Sequence, residues 1–181
     1  MEGISMATLS KAIMAYVGKM KGQGRSPLKI APANAWMGFA GGFVAIGLLG
    51  LLTEWSSEAW IMAPFGASCV LAFGLWDAPL SQPRNIVGGH VVSAFVGLAV
   101  YHLLGGGPVC MALAVGLAIA AMILTKTTHP PAGANPLVVM MAGSDWSFLL
   151  APVLLGAASI AALALIVNNL NRKRRYPTFW F

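Results

Sequence analysis

Long apolar runs separated by short polar stretches are the dominant pattern along this chain. Four runs, residues 34–53, 86–104, 109–125 and 147–168, have the length of roughly 17 to 25 residues that a helix needs to cross a bilayer. Two shorter runs, residues 60–76 and 129–142, contain prolines and lie between the long ones. Only 9% of the residues are charged, against about a quarter in a soluble domain. Pattern and composition therefore predict an all-α polytopic membrane protein with about six membrane segments.

Basic residues cluster at the two ends of the chain. Residues 1–29 mix apolar side chains with lysines, which predicts an amphipathic helix on the membrane surface rather than a secretory signal. Residues 30–171 form the transmembrane region, where Arg84 and Lys126 are the only basic residues, and residues 172–181 form a basic and aromatic tail. Basic residues that flank apolar segments indicate a membrane orientation rather than nucleic-acid binding. We expect both termini in the cytoplasm, at a bacterial inner membrane.

A proline-rich polar stretch interrupts the apolar pattern at residues 127–136. It contains three prolines, a glycine, a histidine, an asparagine and two threonines, so no straight helix can accommodate it. Irregular backbone at membrane depth is tolerated only where protein or a water-filled cavity covers it. The stretch is therefore expected to line an internal site. His129, beside two prolines, is costly to bury and is a functional candidate for that reason.

The chain also contains a short internal repeat. The motif Pro-x-Gly-Ala followed by a small polar residue occurs at 64–68 and again at 131–135, in the middle of two halves, 34–104 and 108–168. If the middle segments cross the membrane, there are six crossings and the halves form an inverted repeat. If they are re-entrant, there are four full spans and the halves are parallel. Six crossings place Arg84 and Lys126 in the cytoplasm, so the positive-inside rule favours six.

These motifs have the chemistry of an anion site. Proline suits the first turn of a helix and glycine permits close approach of a ligand. Half-helices that begin near Pro64 and Pro131 would direct free N–H groups and a partial positive charge into the interior. Neutral donors would come from Ser68, Thr127, Thr128 and Asn135, while Arg84 and Lys126 would attract anions at the mouth. Other interpretations stay open: Lys126 and His102 also fit an interfacial position, and His90 fits a structural role as well as a functional one.

The run from Lys126 to Ala134, Lys-Thr-Thr-His-Pro-Pro-Ala-Gly-Ala, closely resembles the signature of the HPP family of integral membrane proteins. The stretches 63–68, 82–85 and 88–90 resemble that family too, in the same order. The resemblance implies transport of nitrite or a similar small monovalent anion, because members in chloroplasts and cyanobacteria are described as nitrite transporters. It also implies four spans, the usual description of the family, in conflict with six. Larger members carry a soluble nucleotide-binding module, which we expect this chain to lack.

The sequence thus predicts a transporter of a small inorganic anion, most simply nitrite, with a path between the two proline-broken segments. Protons are a candidate co-substrate through His129. The protein is expected to lie in the lipid bilayer, and glycine-rich packing between residues 38 and 50 suggests a homo-oligomer. No cofactor, metal or nucleic acid is expected. A passive channel, a membrane enzyme and a scaffold are the alternatives. The candidate binding residues are Pro64, Gly66, Ala67, Ser68, Arg84, Asn85, His90, Lys126, Thr127, Thr128, His129, Pro130, Pro131, Gly133, Ala134 and Asn135.

Overall fold

A computed structural model describes residues 6–22, 24–26, 31–56 and 58–180. The chain divides into two compact units, Met1–Ile30 and Ala31–Phe181. In the first unit, helix α1 (Met6–Lys19) has no buried side chain, and its location on the membrane surface stays a prediction. Residues 1–5, 23 and 27–29 of the predicted N-terminal segment lie outside the described residues, as does residue 181 of the predicted tail.

The described part of the second unit is helical and contains no strand. Its long helices are α2 (Pro32–Ser56), α4 (Pro83–Leu104), α5 (Pro108–Leu124) and α7 (Leu155–Leu170). The short helix α3 (Ala63–Cys69) continues as a π-helical turn, Val70–Gly74, and α6 (Asn135–Ala142) follows a 3-10 turn, Pro130–Ala134. A 3-10 turn, Pro79–Ser81, precedes α4, and two turns, Trp146–Leu149 and Leu150–Leu154, lead into α7. This arrangement confirms the predicted all-α class.

Three of the described helices are long and apolar enough to cross a membrane: Pro32–Ser56, Pro83–Leu104 and Trp146–Leu170. Two shorter apolar helices are Ala63–Gly74 and Pro108–Leu124. The second of these has 17 residues, at the lower limit for a spanning helix. Three of the four predicted long runs are helices with ends within about three residues of the expected ones. The fourth run, 147–168, begins with two short turns and becomes the regular helix α7 only at Leu155.

One predicted boundary was wrong. The predicted span began at residue 86, which left Arg84 and Asn85 in the connection before it, but both lie in the first turn of α4, because Pro83 is the first residue of that helix. Proline is favourable there since its missing N–H would have no helical partner. Arg84 and Asn85 are thereby fixed to a rigid helix rather than to a mobile connection.

Helix α4 gives a direction to the bundle. We call its first turn the Arg84 end, and its last turn together with residues 105–107 the Gly106 end. Helix α5 runs back antiparallel to α4, because Arg84 Nη2 donates to the carbonyl of Thr125 at 3.2 Å and Asn85 Nδ2 donates to the carbonyl of Thr128 at 2.9 Å. The connection from α5 to the next segment therefore lies at the Arg84 end.

The proline-rich segment then runs beside α4 in the same direction. A Cβ atom at Gly89 would lie 2.6 Å from Cβ of His129, and one at Gly97 would lie 2.7 Å from Cα of Pro136. These glycines permit a backbone approach that any larger residue would prevent. Residues 129–142 thus lead from the Arg84 end towards the Gly106 end.

The first proline-broken segment runs antiparallel to α2. Ile61 approaches Gly50 near the end of α2, whereas a Cβ at Gly41, nearer its start, would overlap the ring of Phe73. The chain then reaches the Arg84 end, where Gln82 Nε2 donates to the carbonyl of Trp76 at 3.1 Å.

The last helical segment closes the bundle between these elements. Trp146 stacks on His102 near the Gly106 end, with ring centroids 5.6 Å apart. At the other end of α7, Asn168 Nδ2 donates to the carbonyl of Ala72 at 2.9 Å. Helix α7 therefore runs towards the Arg84 end and packs on the first middle segment.

The C-terminal tail folds back over the Arg84 end. Arg174 is buried and donates to the carbonyl of Phe73 at 3.0 Å and to Asn168 Oδ1 at 2.6 Å, and its guanidinium also reaches Asn34 Oδ1 at 2.8 Å. The hydroxyl of Tyr176 donates to the carbonyl of Ser81 at 2.7 Å. The tail is thus part of the packed unit and covers the end of the first middle segment.

Candidate functional site

A buried chain of polar side chains connects the two middle segments through α4. Ser68 Oγ, on α3, lies 2.8 Å from Nε2 of His90 on α4 and 2.9 Å from Nε2 of His129, the residue before the 3-10 turn. All three side chains are 0% exposed. Uncompensated polar groups are costly at such depth, so the mutual hydrogen bonds are what makes their burial tolerable. We call Ser68, His90, His129 and Asn135 the histidine centre.

Each histidine is held on its second nitrogen as well. Nδ1 of His129 lies 2.8 Å from the carbonyl oxygen of Leu80, in the 3-10 turn before α4. Nδ1 of His90 faces the amide of Asn135, whose Nδ2 lies 3.1 Å away and whose Oδ1 lies 3.2 Å away. Nδ2 of Asn135 also donates to the carbonyl of His90 at 2.9 Å. Both rings are thus fixed in orientation by partners on different segments.

Small residues on α4 allow this approach. Gly88 accommodates the side chain of Thr127, since a Cβ at Gly88 would lie 2.7 Å from Cγ2 of that threonine. Gly89 accommodates both Cβ of His129 and the carbonyl of Thr127. Side chains at these two positions would separate His129 from α4, so the glycines position the imidazole.

Two further side chains of α4 bind the backbone of the second middle segment. Ser93 Oγ donates to the carbonyl of Ala132 at 2.6 Å, and Asn85 Nδ2 donates to the carbonyl of Thr128. These bonds satisfy carbonyls that an irregular backbone leaves without helical partners. Oδ1 of Asn85 is buried with no hydrogen-bond partner, which leaves a free acceptor beside the proline-rich segment.

The structure brings together part of the predicted site. Ser68, His90, His129 and Asn135 form the centre, and Thr127, Thr128 and Asn85 lie directly beside it towards the Arg84 end. Pro64 and Pro131 are buried, whereas Gly133 and Ala134 are half-buried. Arg84 is half-buried at the start of α4. Four predicted residues are exposed and do not join the centre: Gly66, Ala67, Lys126 and Pro130.

The expectation that two half-helix N-termini would meet with free N–H groups is corrected by the structure. The two segments start at opposite ends of the bundle and overlap side by side, so that His129 meets Ser68, near the end of α3. The first amides after Pro64 and Pro131 are already bonded, Phe65 N to the carbonyl of Met62 at 3.0 Å and Ala132 N to the carbonyl of His129 at 2.9 Å. Side chains, rather than these amides, therefore carry the polar chemistry of the site.

Sequence reasoning did not find two contributors. The carbonyl of Leu80 fixes the His129 ring, and no pattern of side chains predicts a backbone acceptor that lies 49 residues away in the sequence. Ser93 could have been found, because it follows His90 by three residues and so shares its helix face. Phe65 also packs edge-on against His90, with ring centroids 5.1 Å apart, and shields the ring on its apolar side.

A cavity lies at the Arg84 end of the bundle. Its volume is about 520 Å³, and it is lined by Pro83, Arg84, Val87, Gly88 and Trp180. Gly88 lies against Thr127, two residues before His129. The wall of this vestibule therefore includes a cation and a glycine that contacts the proline-rich segment.

A multi-helical apolar bundle with a polar histidine centre at its proline-broken segments defines the class: an integral membrane protein with several membrane helices. The model of the HPP transmembrane region matches residues 27–177, and the chain belongs to this family. Two transmembrane proteins of Dictyostelium discoideum are similar to it, each 40% identical, over 178 and 129 residues. They share 92% and 67% of this chain, which spans only 57% and 45% of their own lengths, about half. No solved structure was found to match the chain.

Proposed function

We propose that this protein transports a small monovalent inorganic anion, with nitrite as the first substrate to test. The observation that carries the proposal is the histidine centre: two imidazoles, a hydroxyl and an amide, wholly buried where two broken segments meet. Ionisable side chains inside a membrane protein are costly and mark substrate or proton pathways. Nitrite itself comes from the family resemblance, since the relatives are named only as transmembrane proteins.

The proposed path enters at the Arg84 end. The vestibule offers the guanidinium of Arg84, which raises the local concentration of anions. From there the way to the centre is closed by the contact of Gly88 and Gly89 with Thr127 and His129, which must separate for the anion to pass between α4 and the proline-rich segment. The centre lies next on this route, and its N–H and O–H groups exchange their internal partners for the anion. A neutral set of donors binds a small anion and releases it again, which a fixed buried charge would hinder.

We further propose that both middle segments cross the membrane, which makes six crossings. The segment from 61 to 74 leads from the end of α2 to the Arg84 end, and the segment from 129 to 142 leads from the Arg84 end towards the Gly106 end. The two directions agree with the contacts of Phe73 with Gly41 and of Pro136 with Gly97. This arrangement gathers Arg84, Lys126 and the basic tail on one side, which the positive-inside rule makes the cytoplasmic one.

The same directions favour an inverted repeat. A separation of 67 residues relates Ser68 to Asn135, Gly89 to Gly156 and Trp60 to Thr127. A Cβ at Gly89 would lie 2.7 Å from the carbonyl of Thr127, and a Cβ at Gly156 would meet the carbonyl of Trp60 at 3.3 Å. The separation also relates Phe65 to Ala132, whose amides make the same bond to the residue three positions earlier. Two halves that pack alike but run in opposite directions are typical of secondary transporters.

The test is anion flux into proteoliposomes of the purified protein. Nitrite, nitrate, formate, bicarbonate and chloride are compared in wild type, His129→Ala and His102→Ala. His102 stacks on Trp146 outside the centre and is the matched control. We expect saturable flux that His129→Ala abolishes and His102→Ala retains. Absence of flux for every anion, in protein shown to be folded, would refute the transport function.

The same experiment separates the alternatives. A channel would give very fast flux that does not saturate and follows the membrane potential alone. A membrane enzyme that used Ser68 as a nucleophile would show no flux, and Ser68 would react with a fluorophosphonate probe. A scaffold would give no flux of any anion in wild type, and His129→Ala would change neither flux nor anion binding.

A further inference from the structure

We propose that the histidine centre binds one proton together with each anion, so that transport is an electroneutral proton–anion symport. This inference rests on the proposed transport function and names its coupling ion. It follows from the number of hydrogens and lone pairs that the centre contains, and from the charges that surround it.

Ser68 has three partners and a single hydrogen. Its Oγ lies 2.8 Å from Nε2 of His90, 2.9 Å from Nε2 of His129 and 3.2 Å from the carbonyl oxygen of Pro64. A hydroxyl supplies one donor and two acceptor lone pairs. If all three contacts are hydrogen bonds, two of the partners must therefore donate to Ser68. If only one partner donates, one of the three contacts carries no hydrogen bond.

The neutral centre has one consistent arrangement of protons. The Leu80 carbonyl can only accept, so Nδ1 of His129 carries a proton and its Nε2 accepts one from Ser68. Ser68 then offers only lone pairs to His90, so Nε2 of His90 carries a proton and donates it. Nδ1 of His90, which lies 3.1 Å from Nδ2 and 3.2 Å from Oδ1 of Asn135, then has no proton and accepts from Nδ2. Both tautomers are thus fixed by one backbone carbonyl.

The centre can accept one more proton without losing a partner. The proton taken from solution forms a bond with Nε2 of His129, which becomes a donor to Ser68. The Ser68 hydrogen turns to the Pro64 carbonyl, and its two lone pairs then receive N–H from both histidines. No covalent bond breaks, and His90 and Asn135 keep their arrangement. Ser68 is therefore a switch with two positions, one for each protonation state.

A second added proton is opposed by charge. It would belong on Nδ1 of His90, which lies 3.2 Å from Oδ1 and 3.1 Å from Nδ2 of Asn135, and the amide is held by a further bond from Nδ2 to the carbonyl of His90. Two cationic rings with centroids 5.2 Å apart would also repel each other. The capacity of the centre is one proton.

Among the described residues, no carboxylate lies beside the centre to pair with the added charge. Asp77 is the only carboxylate between Glu58 and Asp145, and it is exposed in the loop before α4. The other titratable side chains on the elements around the centre are Cys69 on α3, Arg84, Tyr101 and His102 on α4 and Lys126 before the 3-10 turn. A buried cation without a counter-ion is unstable, and so is a buried anion. Each therefore requires the other, which gives one proton per anion.

The experiment measures protons and anions together. Proteoliposomes with an internal pH indicator receive nitrate, because its acid is fully dissociated and does not leak across the bilayer. Nitrite is tested in the same way, with protein-free vesicles as the control for leak. Symport predicts uptake of one proton per anion, driven by a pH gradient and insensitive to a potassium diffusion potential. Anion flux that follows the potential without proton movement would overturn the symport and leave the transport function intact.

A second measurement does not require flux. In detergent, anion binding should take up one proton per protein, and the apparent Kd for the anion should fall about tenfold for each unit of pH decrease while the free centre is neutral. Ser68→Thr keeps the hydroxyl and should retain this proton uptake. Ser68→Val has the shape of the threonine variant without its hydroxyl and should abolish the uptake. The control His102→Gln should leave the uptake unchanged. Anion binding without proton uptake in wild type refutes the inference. Proton uptake without flux would refute the transport function but retain the proton site.

Discussion

Ser68 and Asn135 hold opposite edges of the same imidazole. Ser68 Oγ lies 2.8 Å from Nε2 of His90, and Asn135 Nδ2 lies 3.1 Å from its Nδ1. Each residue closes one of the two Pro-x-Gly-Ala motifs of the chain. Because the two segments come from opposite ends of the bundle, the His90 ring is one point at which both middle segments are joined through polar contacts.

Membrane topology is the first prediction. In a variant without Cys69 and Cys110, single cysteines at Gly106 and Lys126 should react with an impermeant maleimide from opposite sides. Lys126→Cys should share the side of the C-terminal tail, because six crossings place the α5 connection and the tail together. The measurement is labelling of right-side-out and inverted vesicles. Four spans with re-entrant segments require Gly106→Cys, rather than Lys126→Cys, to share the side of the tail, so that result would contradict our arrangement.

Close backbone packing gives a second prediction. Gly89→Ala should destabilise the protein and disturb the centre, because the new Cβ would lie 2.6 Å from Cβ of His129. Gly156→Ala should be as harmful, since its Cβ would overlap the Phe65 ring. Overpacking of this kind costs about 1–3 kcal/mol. Gly116→Ala is the matched control, because nothing lies within 4 Å of its Cβ position. Thermal unfolding in detergent checks all three, and equal melting temperatures would contradict the packing described.

Arg174 provides a third prediction. Arg174→Gln should lower the free energy of unfolding by about 3 kcal/mol, because the carbonyl of Phe73 and the side chains of Asn168 and Asn34 lose a charged donor. The neighbouring Arg175 is exposed, and Arg175→Gln should change it by less than about 0.5 kcal/mol. Denaturant unfolding followed by circular dichroism measures both. Similar effects of the two substitutions would show that burial of Arg174 contributes nothing specific.

Alkaline pH should release the tail at Tyr176. Burial raises the pKa of the Tyr176 phenol, so the folded protein favours the neutral hydroxyl that donates to the Ser81 carbonyl. This stabilisation is complete below the pKa of about 10 of an unfolded tyrosine, and it is lost as the pH rises through the higher folded value. Tyr176→Phe should cost about 1 kcal/mol at neutral pH.

The check is the melting temperature of wild type and Tyr176→Phe at pH values near 8 and 10.5. Other alkaline effects are common to both proteins, so the difference between them reports Tyr176 alone. It should shrink at the higher pH. A difference that stays constant would show that ionisation of Tyr176 does not control the tail.

The sequence predicted the helical class and the proline-broken centre well, because apolar periodicity and proline are local signals. Ser68, His90, His129 and Asn135 were all among its candidates. It could not predict the Leu80 carbonyl, since a backbone acceptor has no side-chain signature, nor the inward position of Arg174 among four consecutive basic residues. It also placed free amides at Pro64 and Pro131, where the local turn already bonds the amides of Phe65 and Ala132. Contacts between distant segments decided each of these points.

The separation of 67 residues has an evolutionary consequence. It pairs His90 with Ala157 and His129 with Met62, and both counterparts are buried and apolar. A dimer of two identical halves, inserted in opposite orientations, would carry two histidine centres or none. On the proposed inverted repeat, duplication and fusion into one chain would free the halves to diverge, so that one side of the core could become polar while the other remained hydrocarbon.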